Sequence, residues 1–543
     1  MRQDAGAGAK AAPGADSDAE IVRFLLQAQF SATAEDVQAV RRLGYAGWLN
    51  AQYTAPVSQT GSGWLDERQL FVPSKDGNYF NPTMGDWMAW RQLMIGPDQV
   101  RKRLSLALSE MFVVSLDAID GFWPPYVLAG YWDMLGANVF GNFRTLLEEV
   151  TLNPAMGLYL NTRGNLREDP STGREPDENY AREVMQLFTI GLYELNADGT
   201  PRVDAAGHKT ETYTQVDITN LAHVFTGYDW DYTKCLYAEV PWLSYRIPMP
   251  EFTRGHMAYH PNLHSPAKVT FLDTTIASNT EGHQALEIAL DTLFRHHNTG
   301  PFFCRQMIQR LVSSNPSPAY VERVARVFAD NGSGTRGDLK AVWTAILTDP
   351  EARGPVDAAG AHDGKVGGKV REPMIRWTQW ARTFKVTSDS GKWAIGNLSG
   401  GDWALGQSPM RSPSVFNFFR PGYVPPHTAI AEAGQVAPEF QIHNESTTAS
   451  YINFLSTTIK DGHADVKPDY AELMPMAHDT DGLLAWLNLY FSANQVSPKS
   501  IDLIRTALET TPVTDASPDA DKLTRVHTAI LLVMASPEYI VQK

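Results

Sequence analysis

Residues 175–192 read EPDENYAREVMQLFTIGL. At a helical rotation of about 100° per residue, Tyr180, Ala181, Val184, Leu187 and Phe188 share one face. Glu178, Arg182 and Gln186 lie opposite. The pattern predicts an amphipathic helix, with Pro176 in its first turn and Glu175 and Asp177 at the positive end of its dipole. Glu178 and Arg182 are four apart and can pair, and Asn179 and Glu183 share a flank. Glu183 sits at the edge of the apolar face beside Leu187 and Ile190. Partial burial there predicts a raised pKa, which suits a carboxyl to proton transfer.

The same period recurs outward from this segment. Glu35 to Tyr53 carries Val37, Val40, Trp48 and Leu49, with Gly44 interrupting. Val100 to Leu116 places Leu104, Leu108, Met111 and Phe112 on one face. Asp338 to Leu347 sets Leu339, Val342, Trp343 and Ile346 at helical spacing, and Pro350 stops it. Leu523 to Met534 repeats this with Val526, Ile530 and Leu531, stopped by Pro537. These two helices close alike, with TAILTDPE at 344–351 and TAILLVMASPE at 528–538. The likeness is either a weak internal repeat or two ordinary proline stops. Strand signals are confined to Pro201–Thr214 and Val240–Phe252, enough for a hairpin or two. Long irregular stretches occupy 54–86, 228–275, 355–370 and 386–450, and loops of that length are usually functional or disordered. The expectation is a mainly α protein: a flexible segment at 1–18, then one large helical body at 19–543 with long irregular loops and at most a few short β-hairpins. A division into two lobes near 355–370 is the alternative.

Bulk composition narrows the partners. The 543 residues carry a net charge of −15, which argues against nucleic acid and anionic membrane surfaces. No run approaches the roughly 18 apolar residues that span a bilayer. The start, MRQDAGAGAKAAPGADSD, lacks the apolar centre of a signal peptide. Cys235 and Cys304 read as two buried thiols rather than a disulfide framework. The chain is rich in aromatic residues; most belong to a core, and some can hold ring-bearing ligands.

Charge concentrates between Asn161 and Gly227, where Glu168, Asp169, Glu175, Asp177, Glu178, Glu183 and Asp217 crowd against Arg163, Arg167, Arg174 and Arg182. Buried charge is costly unless paired or used, so chemistry is expected here first. His256, His260 and His264 follow one another at spacing four. A continuous helix would align them as metal ligands, but Pro261 breaks such a helix. A loop site using His260 and His264 with a carboxylate is one reading, and ordinary hydrogen bonding is the other. GSGTRG at 332–337 follows a helix, so a dinucleotide reading fails its context. NADGT at 196–200 lacks the remaining ligands of a calcium loop.

Several blocks together resemble a bacterial family catalogued as domain of unknown function 1800. They are GNFRTLLEEVTLNPAMGLYLN at 141–161, ENYAREVMQLFTIGL at 178–192 and YTQVDITNLAHVFTGYDW at 213–230. The likeness continues in HHNTGPFFCRQMIQRLV at 296–312, KVREPMIRWTQWART at 369–383 and LGQSPMRSPSVFNFFRPGY at 405–423. The resemblance implies a largely helical fold, a periplasmic or secreted location, and a neighbouring phosphatase- or sulfatase-like partner. It marks Glu178, Asn179, Tyr180, Arg182, Glu183, Asp217, Thr226 and Gly227. The family's His–Asp…Lys element maps poorly onto His260 or His264 with Lys268, and its Asp is absent.

The leading expectation is an exported hydrolase acting on a polysaccharide or related glycan. Glu183 and Asp217 are its expected working carboxylates, supported by Glu178. Asn179, Tyr180, Arg182 and Trp230 are the expected substrate contacts. No cofactor is required by the sequence, and a divalent metal stays open. The alternatives are a metal- or redox-dependent enzyme using a histidine–carboxylate site, and a helical scaffold that docks the phosphatase-like partner. A groove with two carboxylates facing each other at roughly 5–10 Å separates the first from the rest.

Overall fold

The first helix of the computed structural model, which describes residues 16–354, 361–362 and 365–543, is Asp18–Ala28. Ser17 and Glu20 close a capping box at its start, and Ile21, Val22, Phe24 and Leu25 turn inward. Twenty-two α-helices and six two-stranded antiparallel sheets make up the regular structure of the described residues, a mainly α fold as expected. One continuous apolar core runs from Ile21 to Tyr539. Half of the expected lobe boundary at 355–370, residues 355–360 and 363–364, lies outside the described residues.

Local structure follows the helical pattern with instructive departures. The Ala34–Thr54 helix kinks at Gly44, whose φ is 69°. The helix expected over 100–116 is Gln99–Ser109 and ends early. Arg310 reaches across and donates to the Glu110 carbonyl at 2.8 Å, satisfying a helix end that would otherwise continue. The helix expected from Pro176 starts at Asn179, because Asp177 accepts the Asn179 N–H at 2.8 Å and turns the chain first. After Glu183 it widens into a π-helical turn, Val184–Thr189, with the Ile190 N–H reaching back to the Met185 carbonyl. The expected hairpin at 201–214 is an irregular ladder with bridges Leu195–Pro201, Tyr193–Glu211 and Val203–Lys209. In the second expected region, Ile247–Pro248 pairs with Tyr237–Ala238.

The likeness between 344–351 and 528–538 has a structural counterpart. Helices Thr299–Leu311, Pro318–Ala329 and Leu339–Thr348, then the short Pro350–Arg353, match Thr480–Ser492, Pro498–Glu509, Asp519–Ala535 and Pro537–Ile540 in order. In the first set Ser317 caps the second helix and its hydroxyl donates to Glu351 of the fourth. In the second set Ser497 caps the second helix and donates to Glu538 of the fourth at 2.7 Å. The same clasp closes both sets, which favours an internal repeat over two unrelated proline stops. The Asp18–Ala28 helix packs against one helix of each set, Leu339–Thr348 and Thr480–Ser492.

Candidate functional site

The acidic block at 161–227 is built mostly from local turns and caps. Thr214 and Asp217 form a capping box at the start of the Gln215–Ala222 helix. Asp217 Oδ2 accepts the Thr214 N–H and hydroxyl, each at 2.7 Å, and Oδ1 accepts the Leu272 N–H at 3.0 Å. Burial alone would raise its pKa, but these donors hold the carboxyl below its ordinary value. Glu178 accepts from the Thr219 hydroxyl at 2.7 Å, from Gln215 at 2.8 Å and from Arg182 at 3.1 Å. The Thr219 bond is the leading cause of its lowered pKa. Asn179 opens the helix, and Arg182 lies over Glu178 and Gln215.

Two expected substrate contacts belong to the core instead. Tyr180 is buried, donates to the Thr151 hydroxyl at 2.7 Å and meets Phe225 edge-on. Trp230 is buried, donates to the Pro154 carbonyl at 2.9 Å, packs on Phe252 and lies beneath the Arg163 guanidinium. Their aromatic area and polar tips are spent inside the fold, so neither presents a face to a ligand.

Glu183 behaves differently from its neighbours. It is 7 % exposed, and Oε2 is buried with no hydrogen-bond partner. Burial raises its pKa, as its place at the edge of the apolar face predicts. Asp217 does not complete a working pair with it, since its Oδ2 holds a helix start and its Oδ1 accepts the Leu272 N–H.

The histidines divide rather than converge. His260 is exposed, while His264 is buried with Nδ1 on the Thr226 carbonyl at 3.0 Å. Burial lowers the His264 pKa and favours the neutral ring. Gly227, at φ 84°, lets the two segments meet; a Cβ there would stand 2.9 Å from the His260 carbonyl oxygen. His256 pairs with Glu149 at 3.0 Å. Among the described residues, no group of three or more His, Cys, Asp or Glu side chains stands where it could hold a metal ion. A cluster of Ser265, His223 and Glu168 has the composition of a nucleophilic triad. The serine and the carboxylate, however, both contact the same ring nitrogen, Nδ1, at 2.9 and 3.2 Å. A relay needs them on opposite nitrogens.

Stronger electrostatics lie elsewhere, in a buried centre of three bases and three acids: Arg103, Arg310, Lys369, Glu110, Glu372 and Glu439. Arg103 and Lys369 both donate to the Arg310 carbonyl at 2.8 Å. Lys369 also meets Glu439 at 3.0 Å and Glu372 at 3.8 Å. Gln407 donates to Glu372 at 2.6 Å. Glu110 is the exception. Its carboxyl is 3.6 Å from Arg310 Nε, too long for a hydrogen bond; no donor reaches either oxygen, and the Glu372 carboxyl is its neighbour instead. Burial, reinforced by the nearby Glu372 charge, pushes the Glu110 pKa well up; Arg310 and Arg103 oppose the shift.

Glu110 and Arg310 form the most buried wall of a cavity of about 730 Å³. The π-helical turn supplies Gln186 and Leu187 to another wall. The Thr299–Leu311 helix supplies Phe302 and Arg305, and the segment at 416–423 supplies Phe416, Arg420 and Tyr423. Gly191, at φ 72°, leaves room for Phe302; a Cβ there would sit 2.7 Å from its ring. A second hollow of about 830 Å³ lies beside the first repeated set, where its side-chain carboxylate, Glu351, is already clasped by Ser317. The helical pattern of 175–192 says nothing of the ionic centre behind this cavity, whose members run from Arg103 to Glu439 and of which only Glu110 and Arg310 reach the cavity wall. One signal was present: Arg103, Ala107 and Glu110 lie on one stripe of their helix, beside its apolar face.

A family model described as a protein of unknown function, DUF1800, matches residues 23–541. The chain belongs to that family. The DUF1800 match takes in both repeated helix sets, the buried ionic centre and the cavity. No curated protein and no solved structure matches the chain.

Proposed function

We propose that this DUF1800 protein is an exported hydrolase that acts on a polysaccharide or related glycan, with Glu110 as its acid–base group. One observation carries the reading: Glu110 stands at the wall of a cavity with no donor on either carboxyl oxygen and the Glu372 carboxyl beside it; both oxygens are closed to solvent, so the wall must yield for a proton to pass to a ligand. Its raised pKa lets it keep a proton where an ordinary carboxyl has lost one. Glu110 gives that proton to the leaving oxygen as the bond to the sugar breaks. Water adds to the sugar and returns a proton to the carboxyl, so the net change is hydrolysis. Phe302 and Tyr423 supply apolar rings for a sugar. Asp217 keeps its capping role in this reading and Glu183 Oε2 is left without a partner; among the described residues Glu110 is the one acid that lines the cavity, so the facing pair of carboxylates expected of a glycosidase does not support the reading.

The test is turnover of a glycan panel by the purified protein beside Glu110→Gln, Glu183→Gln and Asp217→Asn. The expected result is a loss of about 10²–10⁴-fold in kcat for Glu110→Gln with folding retained. Activity lost in the Glu183 and Asp217 variants alone would return the chemistry to the acidic block. No turnover of any glycan would sink the hydrolase reading.

A specific observation favours a second reading, a scaffold that docks a phosphatase- or sulfatase-like partner. Glu178 is saturated by Thr219, Gln215 and Arg182, and Asp217 by its cap, as in a structural network. The metal- or redox-dependent alternative rests on His260 and His264, which face different surroundings.

A further inference from the structure

We infer that the cavity takes an acidic sugar, a ring bearing a carboxylate or a sulfate. The inference rests on the glycan reading above and names its substrate class. In a chain of net charge −15, the cavity is lined by three arginines, Arg305, Arg310 and Arg420, and by one acid, Glu110. Arg310 is committed, donating to the Glu110 carbonyl and to Gln306. Arg305 and Arg420 are not neutralised: among the described residues no carboxylate pairs with either. Arg305 gives one N–H to the Gly199 carbonyl at 3.2 Å and keeps its other donors. Arg420 lies over the Phe416 ring at 4.5 Å, which leaves the edge of the guanidinium for an anion.

The Arg420 segment is fixed in place. Gln441 accepts the Arg420 N–H at 2.9 Å, Gln309 donates to the Pro421 carbonyl at 3.3 Å, and the Tyr423 carbonyl accepts from Ala437 at 2.9 Å. A planar fork held on an ordered loop matches the paired oxygens of a carboxylate or sulfate. Phe302 and Tyr423 complete the site with apolar faces for the ring. Glu110, while it holds its proton, adds no negative charge to repel the ligand.

Calorimetry on the full chain tests this with three probes: oligogalacturonate, a sulfated galacto-oligosaccharide and the neutral galacto-oligosaccharide. One acidic probe should bind at least about tenfold tighter than the neutral one. Arg305→Gln and Arg420→Gln should each remove about tenfold of that affinity and leave thermal unfolding unchanged. Arg420→Lys separates fork from charge, since lysine should recover only part of the binding. Oligogalacturonate and the sulfated probe, compared directly, tell which anion is read. Equal binding of neutral and acidic probes, or arginine variants without effect, would overturn the acidic-sugar inference while glycan turnover still stood. Arginine-dependent binding with turnover insensitive to Glu110→Gln would instead remove the catalytic role and leave the ligand class. Binding of no probe would overturn both.

Discussion

Two charged regions of this protein have opposite construction. At 161–227 acids and arginines sit close together in sequence, and several find partners within a turn, a cap or a neighbouring helix: Asp217 with Thr214, Glu178 with Arg182 and Thr219. Around Glu110 the members come from helices, loops and a 3-10 turn spread over more than half the chain, and several polar atoms stay without partners. Local pairing is easily satisfied because turn and cap geometry brings donors to the carboxylate at little cost. Long-range pairing must be met by the whole fold at once, and any group it leaves unmet is held by the surrounding packing. Density of charge along a sequence therefore marks where charge is comfortable. Unpaired charge marks where it is constrained.

The contrast is broken most severely by removing one cation from each region. Lys369→Met strands Glu372 and Glu439 in the interior and should cost about 3–5 kcal/mol in denaturant unfolding. Arg182→Met, at the surface pair, should cost about 0–1 kcal/mol. Equal losses would erase the distinction.

Glu183 sharpens it by belonging to the first region in sequence and to the second in character. Its pKa is raised by burial, so its ionisation opposes the folded state. Stability should fall as pH rises from the ordinary carboxyl range through the raised value. Glu183→Gln should therefore gain on the parent protein as pH rises above the ordinary carboxyl range and through the raised folded-state value, read by chemical denaturation. Asp217 has the opposite sign. Its lowered pKa gives stability that is present above the ordinary aspartate range and lost as pH falls through the folded value. Asp217→Asn should lose about 1 kcal/mol at neutral pH, and the gap should close in acid. The smallest effect belongs to His256, whose pKa the Glu149 hydrogen bond raises. Its contribution is present below the ordinary histidine pKa and disappears as pH rises through the raised one. Because the pair is half-exposed, Glu149→Gln should change unfolding by about 0.5 kcal/mol or less.

Much of the scaffold was legible because its causes are local. Apolar spacing gave the 339–348 and 519–535 helices, Gly44 gave the kink, and Pro350 and Pro537 gave the stops. The repeat showed only as a likeness of helix ends, since the Ser317–Glu351 and Ser497–Glu538 clasps join residues far apart in the chain. Glu183 was read as partly buried from its place on the wheel, and it is. Tyr180 and Trp230 are buried, and an aromatic beside charges reads alike in sequence whether it faces a ligand or the core. The Gln99–Ser109 helix was drawn too long because nothing within it announces Arg310, the residue that ends it. For the same reason Lys369 and Glu439 carried no signal: their meaning lies in a partner rather than in a pattern.

The wider turn at 184–189 makes one wall of the cavity a matter of counting. A π-helical turn holds a surplus residue relative to an α-helix of the same advance. Deleting a single residue there would let the backbone relax to ordinary winding, with the flanking residues keeping their faces and the side chains inside the turn changing theirs. Gln186 and Leu187 would swing off the wall, with every side-chain type in the cavity unchanged. Relatives that differ by one insertion or deletion at this turn would then diverge in the ligands they accept while sharing all their charged groups. Chain length at one point would act as a specificity determinant.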